Sequence, residues 1–113
     1  MIYFNNLHIE QQRYKKLEII RSERDSLLNS TDWITSYRTK EDIAVNAGYI
    51  TNENRRWSQE EIMSYLLWCK YLCDLPETIQ LDNKIDNLTL EKINKDNLEL
   101  FPPCPLLNEL SSL

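Results

Sequence analysis

The sequence predicts a mainly α protein: an antiparallel helical hairpin, a short connecting helix, and an extended proline-rich C-terminal arm. Three observations carry this. Residues 57–76 read W-S-Q-E-E-I-M-S-Y-L-L-W-C-K-Y-L-C-D-L-P, a helix with both ends written into it. Residues 7–28 set Leu7, Tyr14, Leu17, Ile20, Leu27 and Leu28 at helical spacing among interleaved charges. The 113 residues include a single glycine, so few turns can rely on positive φ and tight β-hairpins are disfavoured.

In chain order, residues 1–6 form a stub of strand or a lead-in, and the first helix covers 7–28, closed by Asn29 and Ser30. Thr31-Asp32-Trp33 then reads as a turn, with Asp32 accepting local N–H groups and Trp33 pinning the loop to the helices. Thr39 caps a second helix over 40–47, with Asp42 at N3 and Gly48 at C′. The central helix covers 58–74. Ser58 and Glu61 form a capping box, and Trp57 at N′ can staple to Ile62 at N4. Pro76 has no N–H and disfavours helix at Leu75, so the helix stops near Asp74.

That central helix carries more apolar surface than one stripe. Ile62, Tyr65, Leu66, Cys69, Leu72 and Cys73 make the stripe expected to face the core. Met63, Leu67, Trp68, Tyr71 and Leu75 lie outside it and call for a second partner. Residues 1–76 thus form a helical domain and residues 77–113 an arm. A short helix over 90–96 is the arm's one regular element. F-P-P-C-P excludes regular helix there and favours a polyproline-like course.

The charge excludes several functions. Residues 1–73 hold ten acids and ten bases, whereas residues 74–113 hold eight acids and three bases, which accounts for the net charge of −5. A chain with no basic face lacks the phosphate-neutralising footprint of nucleic-acid binding. No apolar run reaches the roughly 18 residues that span a bilayer, and M-I-Y-F-N-N-L lacks the pattern of a signal peptide. Three cysteines and one histidine, without a C-x-x-C pair, point to no disulfide framework, no metal and no cofactor. Cys69 and Cys73 read as buried, inert thiols. Arg55 and Arg56 read as solvated, and no nucleophile, base or phosphate loop is recognisable. A non-enzymatic protein with no catalytic residue is expected.

Two blocks, R-S-E-R-D-S-L-L-N-S-T-D-W and Y-L-L-W-C-K-Y-L-C-D-L-P, resemble the bacteriophage tail assembly chaperones, also called tail fibre assembly proteins. In that family a helix ending R-D-x-L-L precedes D-W, then a helix with two spaced aromatics ending in Leu, Asp and Pro, then a proline-rich tail. Arg24, Asp25, Leu27, Leu28, Asp32 and Trp33 fall on the first block, and Tyr65, Trp68, Leu72, Asp74 and Pro76 on the second. The resemblance implies a chaperone that masks apolar surface of a tail or fibre protein in the cytoplasm of an infected bacterium. It implies no nucleic-acid or membrane partner, and leaves open association with copies of itself or with the virion. The contact residues expected are Met63, Leu67, Trp68 and Tyr71 on the outer face, with Phe101 on the arm. The alternative is a structural virion or adaptor protein permanently bound in a tail or fibre complex.

Overall fold

Residues 1–47 contain neither glycine nor proline, and nothing in their backbone chemistry forces a break. In the computed structural model, which describes residues 2–94 and 96–107 and side chains from His8 onward, they form one helix, α1 (Ile2–Asn46). The separate helices expected over 7–28 and 40–47 are merged in it as far as Asn46, as are residues 2–6 of the lead-in expected over 1–6. The turn expected at Thr31-Asp32-Trp33 is absent. Its hydroxyls, read as turn formers, bond back along the helix instead: Ser30 Oγ donates to the Leu27 carbonyl, and Thr31 Oγ1 lies 3.3 Å and 3.2 Å from those of Leu27 and Leu28. Thr39, expected as a cap, likewise donates to Thr35 O.

α1 stops where a glycine permits it. Gly48 takes φ of 83°, and the Gly48 and Tyr49 N–H groups return to the carbonyls of Val45 and Ala44. These are the two bonds of a Schellman motif. A loop with a 3-10 turn (Asn52–Asn54) leads to α2 (Gln59–Thr78). The capping box at its start is formed: Glu61 N–H donates to Ser58 Oγ at 3.1 Å and Ser58 N–H to Glu61 Oε1 at 3.0 Å. The far end differs from expectation, because α2 runs through Pro76 to Thr78. Near a C-terminus a proline removes only one intrahelical bond, that to the Leu72 carbonyl. Pro76 is buried, and the Ile79 N–H still reaches Leu75 O at 2.9 Å.

Three cross-contacts set the direction of packing. The Arg38 guanidinium donates to Trp57 O, the Tyr65 hydroxyl to Thr31 O, and Lys16 Nζ to Ile85 O. One set of numbers falls as the other rises, so α2 runs antiparallel to α1. Ile20, Ile34, Leu72 and Leu75 fill the seam, with Leu27, Leu28 and Ile62 at its edges. Each fully buried aliphatic side chain contributes about 1.5–3 kcal/mol. Thr31, also buried, is the seam's polar centre, since its carbonyl and hydroxyl both meet the Tyr65 hydroxyl.

After α2 the chain turns back through 3-10 turns over Leu81–Asn87 and Leu90–Lys92. The second replaces the short helix expected over 90–96, and Lys95 lies outside the described residues. Asp82 and Asn83 adopt left-handed φ of 54° and 56°, a conformation that short polar side chains tolerate best. This bend is fastened to α1 by a bidentate pair, Arg13 Nε and Nη2 to Asp86 Oδ1 and Oδ2 at 2.8 and 2.6 Å. Residues 97–107 then cross α2 rather than extending from it. Residues 108–113, which include the last leucines of the expected arm, lie outside the described residues. No strand occurs among those described.

Two predictions follow from this packing. Leu72→Ala, at the centre of the seam, should lower stability by about 2–5 kcal/mol, whereas exposed Leu67→Ala should stay within about 0.5 kcal/mol; urea denaturation separates them. The Asp86 carboxyl sits below its ordinary value of 3.8, held there first by the Arg13 hydrogen bonds. A carboxyl depressed by folding stabilises at pH above its unfolded value, and the contribution vanishes as pH falls through the folded one. The stability gap between the wild type and Asp86→Asn should therefore be constant near neutrality and close as pH drops below 3.8, as followed by melting temperature against pH.

Candidate functional site

The surface of α2 is divided by what packs on it. Asn97 begins the crossing by accepting the Phe101 N–H at its carbonyl, 2.8 Å, and by donating its amide to Lys92 O. Residues 100–106 then lie across the helix. Trp68 Nε1 donates to Pro102 O at 2.7 Å and the Tyr71 hydroxyl to Leu100 O at 2.8 Å. Leu100, Phe101, Cys104 and Leu106 join the same hydrophobic cluster as the seam.

Two of the expected contact residues are therefore interior. Trp68 is 6 % exposed and Phe101 2 %, because the crossing segment lies over Trp68 and carries Phe101 into the hydrophobic cluster. Tyr71, at 36 %, is half-covered, and burial pushes its hydroxyl pKa upward. The expected core stripe is rotated for the same reason. Trp68 and Leu75 turn inward under the strap and against α1, while Leu66 and Cys73 turn out to solvent. Met63 and Leu67 keep their expected exposure at 50 % and 60 %, and Leu66 adds a third side chain at 49 %. Beside them a groove of about 170 Å³ opens between the helices. Ile34, Ile62, Tyr65 and Leu66 form its apolar walls, and Thr35, Arg38 and Thr39 its polar rim.

The loop end of the hairpin carries a second cluster. Trp33, expected to anchor a loop, projects from α1 with its ring 5.7 Å from that of Trp57, and Tyr37 meets Trp57 edge-on at 5.7 Å. The Arg56 guanidinium lies 4.8–5.5 Å from all three ring centres, close enough for cation–π attraction. Its backbone N–H donates to Glu41 Oε2, and Arg55 pairs with Asp42. The arginine pair is thus engaged rather than simply solvated. Glu41 is buried, and its Oε1 has no hydrogen-bond partner among the described residues.

The remaining motif positions are structural. Leu27 and Leu28 pack against the core, and Tyr65 and Leu72 are within it. Arg24 pairs with its neighbour Asp25, and Asp74 with Lys70 one turn before it. Asp32 is exposed. Burial raises the Tyr65 hydroxyl and Cys69 thiol pKa values, as an apolar surrounding disfavours either anion. Cys73 is exposed and Cys104 buried. His8, on exposed α1, contacts Gln12. Among the described residues, no group of three or more His, Cys, Asp or Glu is arranged to hold a metal ion. No described helix is long and apolar enough to cross a membrane.

The residues that sequence reasoning missed, Leu66, Arg56 and Asn97, depend on contacts with distant segments. Only Arg56 left a local trace, in the i, i+4 spacing of Trp33 and Tyr37 that offers two rings on one flank of a helix. Comparison with protein-family profiles, curated proteins and solved structures finds no match to this chain.

Removing the guanidinium with Arg56→Ala should cost about 1 kcal/mol and shift tryptophan emission from Trp33 and Trp57. Arg56→Lys should retain part of both, as read by denaturation monitored through fluorescence.

Proposed function

We propose that the chain is a non-enzymatic assembly chaperone of the tail or tail-fibre type, masking apolar surface on a tail or fibre protein in the cytoplasm of an infected bacterium. The observation that carries this reading is the exposed apolar strip of Met63, Leu66 and Leu67 beside the open inter-helix groove. The strip lies on a capped helix whose opposite face is anchored in the core, so it is presented rigidly. Contiguous apolar surface on a folded protein marks partner sites, and a fixed surface loses less entropy on binding than a mobile one. The resemblance of the R-D-S-L-L…D-W and Y-L-L-W…D-L-P blocks to the tail assembly chaperones points to the class of client. The mode of action is coverage, with no bond made or broken.

Co-expression with a phage tail or fibre protein as candidate client tests the reading. The wild type should co-purify with the client and raise its soluble yield. Met63→Glu with Leu67→Glu should abolish both while leaving the melting temperature nearly unchanged, because both side chains are already in water. Failure of the wild type to bind would remove the proposal. Presence of the chain in purified particles at a fixed ratio would identify a permanent structural subunit instead.

A further inference from the structure

The segment that covers Trp68 has the chemistry of a ligand. Residues 100–106 read L-F-P-P-C-P-L. Each proline fixes its own φ near −65° and drives the residue before it out of the helical region, so Phe101, Pro102 and Cys104 are extended before any docking. Residues 102–104 carry no regular secondary structure, and no peptide bond among the described residues is cis. Such a stretch lacks N–H donors at its prolines but keeps every carbonyl. α2 answers with aromatic donors, the indole of Trp68 to Pro102 O and the phenol of Tyr71 to Leu100 O. Phe101, between the two accepting residues in sequence, is buried in the hydrophobic cluster. Aromatic side chains that read the carbonyls of a stiff, extended proline segment are the common basis of polyproline recognition.

We propose that this face of α2 is a recognition site for an extended aromatic–Pro–Pro segment, occupied in cis by the chain's own strap, and that a client polypeptide presenting such a segment takes the strap's place. The identity of the occupant as a client rests on the function proposed above; the exchange itself does not. Among the described residues, two hydrogen bonds join strap to α2, the rest of its hold being the burial of Leu100, Phe101, Cys104 and Leu106, and the bend fastened to α1 at Ile85 and Asp86 keeps a displaced strap tethered. Tethering gives the strap an effective concentration on the order of millimolar. A single segment in trans competes poorly against it, whereas a client carrying several copies competes well. The strap thus sets a threshold that isolated proline-rich peptides do not reach at low concentration.

Cys104 reports the exchange, because it is in the strap and buried only while the strap is docked. The full-length protein is titrated with a synthetic peptide copying residues 98–107 with the C104S substitution, and alkylation of Cys104 by iodoacetamide is followed by mass spectrometry. Alkylation should accelerate at least about tenfold as the peptide approaches millimolar concentration, and a peptide that also carries P102A and P103A should have no effect. Trp68→Phe keeps an aromatic ring but loses the indole donor, and should speed alkylation at least about tenfold without peptide, the equivalent of one hydrogen bond. Protection of Cys104 unchanged throughout the titration on the wild type would overturn the proposal and make the strap a fixed part of the fold. A wild-type dimer by light scattering, with Cys104 protected by a second copy's α2, would overturn the client as occupant. The thiol readout needs no fibre protein, so its failure is separable from failure of co-purification.

Discussion

Two packed helices share one seam, and one seam cannot cover a helix that is apolar on two sides. α2 is such a helix. Tyr65, Leu72 and Leu75 look toward α1, while Trp68, at the edge of the same stripe beside Leu27 and Thr31, carries an indole N–H that must find an acceptor once it leaves water. The C-terminal strap resolves both needs in one crossing. It supplies the Pro102 carbonyl to the indole and brings Phe101 and Leu106 to the cluster. The strap therefore closes one edge of the seam, where Pro103, Cys104 and Leu107 share a cleft with Leu27, Ser30 and Thr31 of α1 and Trp68 of α2. The Arg13–Asp86 and Lys16–Ile85 contacts fix where the returning chain begins its crossing.

The strap also decides which apolar surface is left over. By covering the Trp68 side, it leaves Met63, Leu66 and Leu67 exposed, without a partner among the described residues. The uncovered strip is adjacent to the capping box and far along the chain from the linker turns. It sits on backbone whose geometry is set by local hydrogen bonds, which is why substitutions there are expected to alter binding without altering the fold.

What was legible in the residues was local. The capping box and the glycine stop at Gly48 follow from side chains within a few positions of the backbone they serve, and the helical pairing from the apolar stripes at helical spacing. The misread features each had a local signature with two physical outcomes. Ser30, Thr31 and Thr39 can end a helix or bond back along it, and a buried seam against Tyr65 favours the second. Pro76 can end a helix or sit in its last turn, and burial of its ring favours the second. Trp68 and Phe101 read as surplus apolar surface when taken singly, and their mutual burial depends on a fold-back of about thirty residues that periodicity does not encode. The exposed strip was partly legible: Met63 and Leu67 follow from the wheel, whereas Leu66 needed the rotation imposed by the strap.

Because α1 continues as a single 45-residue rod, the molecule measures 70 × 28 × 20 Å with a radius of gyration of 18.9 Å. A compact domain of this length would have a radius of about 13 Å. The excess raises hydrodynamic drag without adding mass. A lone copy will elute from a sizing column ahead of globular standards of equal weight, in the position of a dimer, so its stoichiometry with any client has to be weighed by scattering or sedimentation equilibrium rather than inferred from elution.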